Sequence, residues 1–239
     1  MKRRQVIQAM AVGSMAALIG SNTLAMSNEE KPAARPPAFA GTHKVKPLPY
    51  NPVKLRGLDE TMINNHHSKN YAGTVAKLNK IEEALATLSK DAPAFVRAGL
   101  KREQLIAANS VILHEHYFDN LGGDGKPSGK IVELIKHHWG SWEVWEADFR
   151  GTGLALGGGS GWVVLTYSLV DGAPQTVWQA DHTNSYAMGR PLLVMDMYEH
   201  SYQRQFGPAV AEYIDSFMAN VNWDIVNYRL EQVEKLKLG

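Results

Sequence analysis

Near the C-terminal end of the chain an apolar run, Leu192-Leu193-Val194-Met195, stops at Asp196, and His200 follows four residues later. The run reads as a buried strand, so a carboxylate stands at the end of a core strand with an imidazole close behind. An ionised Asp buried without a partner is very costly. A divalent or trivalent metal is one of the few partners that engages both groups at once. Two His and one carboxylate are the usual nitrogen–oxygen set for redox iron or manganese. The rest of the chain is therefore expected to bring further His to this strand end.

The chain has 239 residues, 44% of them apolar, with six Trp. That is enough for one large or two small domains with a real core. Residues 1–25 are not read as part of it. Lys2-Arg3-Arg4 precedes an apolar stretch from Val6 to Ile19, and Thr23-Leu24-Ala25 offers small residues for cleavage. This is an export signal, too short and too broken by Gly and Ser to span a membrane. Its Arg3-Arg4 pair resembles the twin-arginine type, the alternative being an ordinary secretory signal with a basic start. The expectation is an exported, periplasmic protein. Loss of the signal, with its three basic residues, takes the formal net charge from +1 to about −2,. Nothing in that balance points to nucleic acid or to a membrane surface after cleavage. The chain has no Cys, which excludes disulfides, thiolate metal sites and cysteine nucleophiles.

Residues 26–50 hold five Pro (Pro32, Pro36, Pro37, Pro47 and Pro49) and read as an extended arm,. From Leu58 to Leu88 the pattern is helical, with Tyr71, Val75, Leu78, Ile81, Leu85 and Leu88 three or four apart,. Asp91-Ala92-Pro93 breaks it. A second helix is expected from about Glu103 to Leu121 and a third helical stretch from about Gly129 to Arg150. After a Gly-rich loop at 157–161, strands are expected at Trp162–Leu169, Gln175–Ala180 and Leu192–Asp196, and the end from Gly207 to Leu238 reads as helical. The fold class is α+β: an N-terminal antiparallel helical hairpin (51–125), then an α/β half (126–239) around a three-stranded antiparallel sheet.

Nine His are present. His43 lies in the arm, and His137-His138 reads as surface or packing. The candidates are His66 or His67, His114 or His116, His182, and His200. His114 shares a helix face with Ala107, Ser110, Val111, Tyr117, Phe118 and Leu121, a core face, which favours it over His116. Extending the Tyr71-Val75-Leu78 stripe backwards favours His67, but periodicity does not decide between His66 and His67.

The motif Asp196-Met197-Tyr198-Glu199-His200-Ser201-Tyr202 is similar to the signature Asp-x-Trp-Glu-His-Ala-Tyr of the iron/manganese superoxide dismutases, with Tyr198 in place of Trp. Shorter matches lie at His66 to Lys69, Val75-Ala76-Lys77-Leu78-Asn79, Gly125 to Lys130, Gly159-Ser160-Gly161-Trp162 and Val221-Asn222-Trp223, in order over about residues 47–235. The resemblance implies one iron or manganese ion per subunit, held by His66, His114, Asp196 and His200 with a bound solvent as fifth ligand; iron is favoured. It implies a homodimer or higher homo-oligomer that converts superoxide to dioxygen and hydrogen peroxide. It also places Ser110 and His182 where the family carries the Gln that bonds the solvent. His182 would fill that role, and with Asp196 would deliver protons. Trp162 would wall the site with Tyr117 beside it, and Glu199 would reach the partner's imidazole across the dimer.

The resemblance breaks at the substrate gateway. The family's gateway Tyr and His are Thr74 and Asn70 here, and the aromatic that meets that His across the dimer is Gln203. These departures keep alive a non-catalytic protein of the same fold that holds its metal for stability. A mononuclear iron oxygenase with two His and one carboxylate is the other rival, and a third His ligand argues against it.

Overall fold

A computed structural model describes residues 35–236. The export signal expected at residues 1–25 lies outside them. The first long helix starts where Asp59 caps it, its carboxylate accepting from Met62 N–H at 2.8 Å,. α1 (Glu60–Asn65) runs into a π-helical stretch (His66–Tyr71) and on into α2 (Ala72–Ala86) without leaving helical backbone. α3 (Ala94–Asp119) packs back on α2 as the expected hairpin. It begins nine residues before the Glu103 expected from the sequence. Its first turns, residues 94–99, are exposed, so no apolar stripe marks them.

Residues 129–150 do not form one helix. Gly140 adopts φ +85°, and Ser141 then caps a new start by accepting from Val144 N–H. The result is α4 (Lys130–Trp139) and α5 (Trp142–Leu156). Trp142 and Trp145, three apart on α5, meet with ring centres 4.6 Å apart, and Trp145 is fully buried.

Strands β1 (Trp162–Ser168), β2 (Ala173–Gln179) and β3 (Gly189–Asp196) form an antiparallel sheet in the order β2-β1-β3. The central strand is buried from Trp162 to Leu165, under α5. Pro174 and Pro191 fall on the two edge strands, the places in a sheet that tolerate a missing N–H,. β3 starts three residues before the expected Leu192 and lies against α3 and the last helix, Trp223–Glu234. Its register sets Asp196 directly opposite Trp162.

α6 (Glu199–Phe206) precedes the stretch expected as helical, Gly207 to Leu238, which holds two helices, α7 (Val210–Ala219) and α8 (Trp223–Glu234). Gly207-Pro208 separates α6 from α7. Asn222 restarts the chain into α8 by accepting from Asp224 N–H.

The described part of the arm is docked rather than free. Glu82 on α2 accepts from Gly41 N–H at 2.7 Å and pairs with His43 Nε2 at 2.9 Å. Further along, Lys46 N–H donates to Tyr71 Oη and Lys46 C=O meets His67 Nε2 at 2.7 Å. Residues 37–46 thus strap the helix that carries His66 and His67.

Candidate metal centre

His66 is 1% exposed and His114 2%, while Asp196 is fully buried. They come from three elements: the π-helical stretch, α3 and the end of β3. His200, on the first turn of α6, joins them from the other side. All three imidazoles point Nε2 at one carboxylate oxygen, Asp196 Oδ2: His66 at 3.1 Å, His200 at 3.3 Å and His114 at 3.6 Å. The four donor atoms lie within 4.8 Å of one another.

The π-helical turn decides between His66 and His67. An α-helical count of four back from Tyr71 lands on His67. The wider turn adds one residue, so the buried face passes from Tyr71 to His66 and on to Met62 and Ile63. A π insertion of this kind is a common way to turn a functional side chain inwards. His67 is half-buried and serves the arm instead.

His114 and Asp196 are held from behind, whereas Nδ1 of His66 is buried without a hydrogen-bond partner among the described residues. His114 Nδ1–H donates to Ser110 C=O at 2.7 Å, with Ser110 Oγ 3.3 Å away, which leaves the Nε2 lone pair facing the cluster,. Asp196 Oδ1 accepts from Tyr198 N–H at 2.8 Å, and its carbonyl accepts from Tyr213 Oη at 2.7 Å and Ser201 Oγ at 2.9 Å. Sequence reasoning did not find Tyr213. It is one of many apolar-helix tyrosines until α7 folds against β3.

Aromatic rings wall the cluster. Trp162 stands edge-on to His114, ring centres 5.0 Å apart. Tyr117, expected beside Trp162, lies against His66 at 5.2 Å. His182 joins the site from the loop after β2. Its ring lies 6.3 Å from that of His114 and 5.6 Å from Trp162.

Of the gateway positions, Asn70 and Gln203 are exposed, and Thr74 Oγ1 donates to Asn70 C=O on its own helix. Glu199 is exposed in the single chain and His200 keeps 27% side-chain exposure. His116, the rival to His114, bonds Ile112 C=O through Nδ1 and stays outside the cluster.

The donor set fits a metal ion. His66 Nε2, His114 Nε2, His200 Nε2 and Asp196 Oδ2 are all buried without a hydrogen-bond partner, which a folded protein tolerates rarely. The three imidazole-to-carboxylate separations of 3.1–3.6 Å suit atoms each bound about 2.1 Å from one ion. Three imidazoles and one carboxylate match iron or manganese and exceed the two-His set of the oxygenase reading.

The electrostatics agree. Burial pushes His66 down, and burial with neighbouring His66 pushes His114 down to about 3, so both are neutral ligands at ordinary pH. Burial opposes ionisation of Asp196, but the neighbouring His200 and His66 imidazoles hold its carboxyl well below the usual range. Burial also opposes charge on His200, and the Asp196 carboxylate overcomes it and raises this imidazole.

A family model for the C-terminal domain of iron/manganese superoxide dismutases matches residues 127–229. A superoxide dismutase [Fe] of Cupriavidus metallidurans is 50% identical over 182 residues, 76% of this chain and 92% of that protein. The chain belongs to the iron/manganese superoxide dismutase family. More distant members include a superoxide dismutase [Fe] of Aquifex aeolicus, 32% identical over 82% of this chain and 95% of that protein. A superoxide dismutase [Mn] of Haloferax volcanii is 30% identical over 82% of this chain and 98% of its own length. The matches cover the hairpin as well as the α/β half, so the dismutase fold accounts for the sheet and the hairpin together.

Proposed function

We propose that this dismutase holds one iron or manganese ion on His66, His114, Asp196 and His200 and uses it to convert superoxide to dioxygen and hydrogen peroxide. The observation that carries the reading is the convergence of four buried, unpartnered donor atoms on one point. When bound there, the ion supplies reversible one-electron exchange with superoxide. The 50% identical relative named as an iron enzyme supports iron over manganese.

The chain's own part is to hold the donors, exclude water and move protons. Asp196 supplies the negative charge and is fixed by three hydrogen bonds at two of its atoms. Trp162 and Tyr117 keep the cluster dry. His182 turns a buried Nε2 without a partner towards the site, where it can hold or pass a proton. Asn70 and Thr74 put no ionisable group at the entrance.

Superoxide decay after pulse radiolysis, with metal measured in the same sample, tests this reading. Decay should scale with iron or manganese occupancy and vanish in His114→Ala. Full occupancy with negligible decay would establish the non-catalytic alternative.

Metal binding should release a proton near neutrality. His200 is the ligand whose titration is raised, so a proton competes with the ion there, and affinity rises with pH through the His200 range. His66 and His114 are pushed down and add no competition at that pH. Calorimetry of Mn(II) binding in two buffers of different ionisation enthalpy should show about one proton released per ion at pH 6. Zero release would overturn the assignment.

We further propose that the active form is a homodimer, with Glu199 closing on the partner's imidazole. Glu199, Gln203 and the open edge of His200 lie on one exposed segment of α6. Sedimentation equilibrium should give a dimer that Glu199→Ala weakens. A monomeric active enzyme would rule this out.

A further inference from the structure

We propose that Tyr198 is a positioning residue: its phenol donates to Nδ1 of His182 and so fixes that ring with an Nε2–H edge turned into the metal centre. The inference rests on the reading of His182 as the proton-bearing group of the site.

His182 stands in the loop after β2, where no helix or strand fixes its ring. Its backbone is held. Asn109 Nδ2 donates to His182 C=O at 2.7 Å, and Asp181 Oδ1 accepts from Thr183 N–H at 2.6 Å to close a turn around it. The ring is held by one hydrogen bond, from Tyr198 Oη to Nδ1 at 2.8 Å, with the two rings offset-stacked at 4.7 Å and 23°. Trp162 closes the other side.

That leaves Nε2, which is buried and has no partner among the described residues. A neutral imidazole carries one N–H, and the bond made by one nitrogen decides which nitrogen keeps it. A phenol is a better donor than acceptor, because its lone pair is delocalised into the ring. Tyr198 therefore takes the acceptor site at Nδ1, and the proton sits on Nε2, facing the centre. A residue with an indole at this place could not accept and would donate from a different position, so the phenol and His182 form a matched pair.

Tyr198 also ties this donor to a ligand. Its own N–H donates to Asp196 Oδ1, and it lies between Asp196 and His200 in the chain. One residue thus sets both a candidate metal ligand and the imidazole that stands beside the cluster. The backbone bond would survive any side chain. The hydroxyl is the part chosen by the sequence.

The test compares the metal-loaded full chain with Tyr198→Phe, His182→Ala, the double variant, and Tyr198→Phe in a His182→Gln background. Two quantities are read at equal metal occupancy: the midpoint potential of the bound metal and the rate of superoxide decay. Y198F should shift the potential in the same direction as H182A and slow decay by about tenfold, the low end for an outer partner of a metal site. The double variant should match H182A, because the phenol acts only through the ring. In the H182Q background Y198F should be silent, since an amide donor needs no tautomer to be chosen. Additive effects in the double variant, or a Y198F enzyme indistinguishable from wild type, would overturn the proposal. So would loss of metal from Y198F whatever stands at position 182, which would make the role structural. A wild-type potential and rate in H182A would refute the underlying reading of His182 itself, a result distinct from the others.

Discussion

Asp196→Asn should abolish metal binding and superoxide decay and should also destabilise the metal-free chain. Asp196 is fully buried and supplies the one anionic donor among three imidazoles. The amide keeps the shape and keeps an oxygen to accept from Tyr198 N–H. It replaces Oδ2 with a group that has protons where the ion needs a lone pair. Loss of an outer partner typically costs a metal site about 10–100-fold in affinity, and loss of the charged ligand should exceed about 100-fold. Folding moves the same way. Burial opposes ionisation of Asp196, but the His200 and His66 imidazoles hold its carboxyl well below the usual range, so its charge stabilises the folded metal-free chain at neutral pH,. Removing that charge leaves the raised His200 imidazole without its counter-charge,. Metal analysis and thermal melting of the metal-free proteins check both parts. Wild-type occupancy in the Asn variant would remove Asp196 from the ligand set.

Arg229→Ala should be the most damaging change remote from the metal, costing about 3 kcal/mol or more. Arg229 reaches from α8 into the join between the hairpin and the sheet. Its guanidinium, with a side chain 11% exposed, donates to Asn120 Oδ1 at the end of α3, to Leu192 C=O on β3 at 2.9 Å and to His116 C=O at 3.3 Å, with Asp119 3.6 Å away. Truncation leaves several buried acceptors unpaired, each worth about 1–3 kcal/mol. Asn120 is itself fully buried and donates to Val194 C=O at 2.7 Å, so the loss spreads along β3 towards Asp196. Denaturant unfolding of the metal-free variant measures this directly. A change under 0.5 kcal/mol would show that water replaces the guanidinium without cost.

The ligand set was legible in part from local signals. A carboxylate ending an apolar strand needs a partner, and Asp196 announced one. His114 was marked by the apolar face around it. His66 was not, because the π-helical turn shifts the register by one residue, and periodicity assumes a constant turn. The split of residues 129–150 was written in Gly140-Ser141, a breaker followed by a cap, but Trp139, Trp142 and Trp145, spaced by three across it, imitate one continuous helix. The exposed start of α3 left nothing to read, since a helix with no buried face has no stripe.

The sequence by itself determined the order of elements, the family and three of the four donors by local pattern, with His66 supplied by the family resemblance, because apolar periodicity, breakers and the Asp196-to-His200 motif act over a few residues. The tertiary structure gave the physical reason that His66 and not His67 turns inwards, and it alone decided that Arg229 and Tyr213 brace β3 and that Tyr198 meets His182. Those contacts join residues 16 to over 100 positions apart. Their partners are chosen by packing, and no local pattern of residues records which distant group a side chain will face.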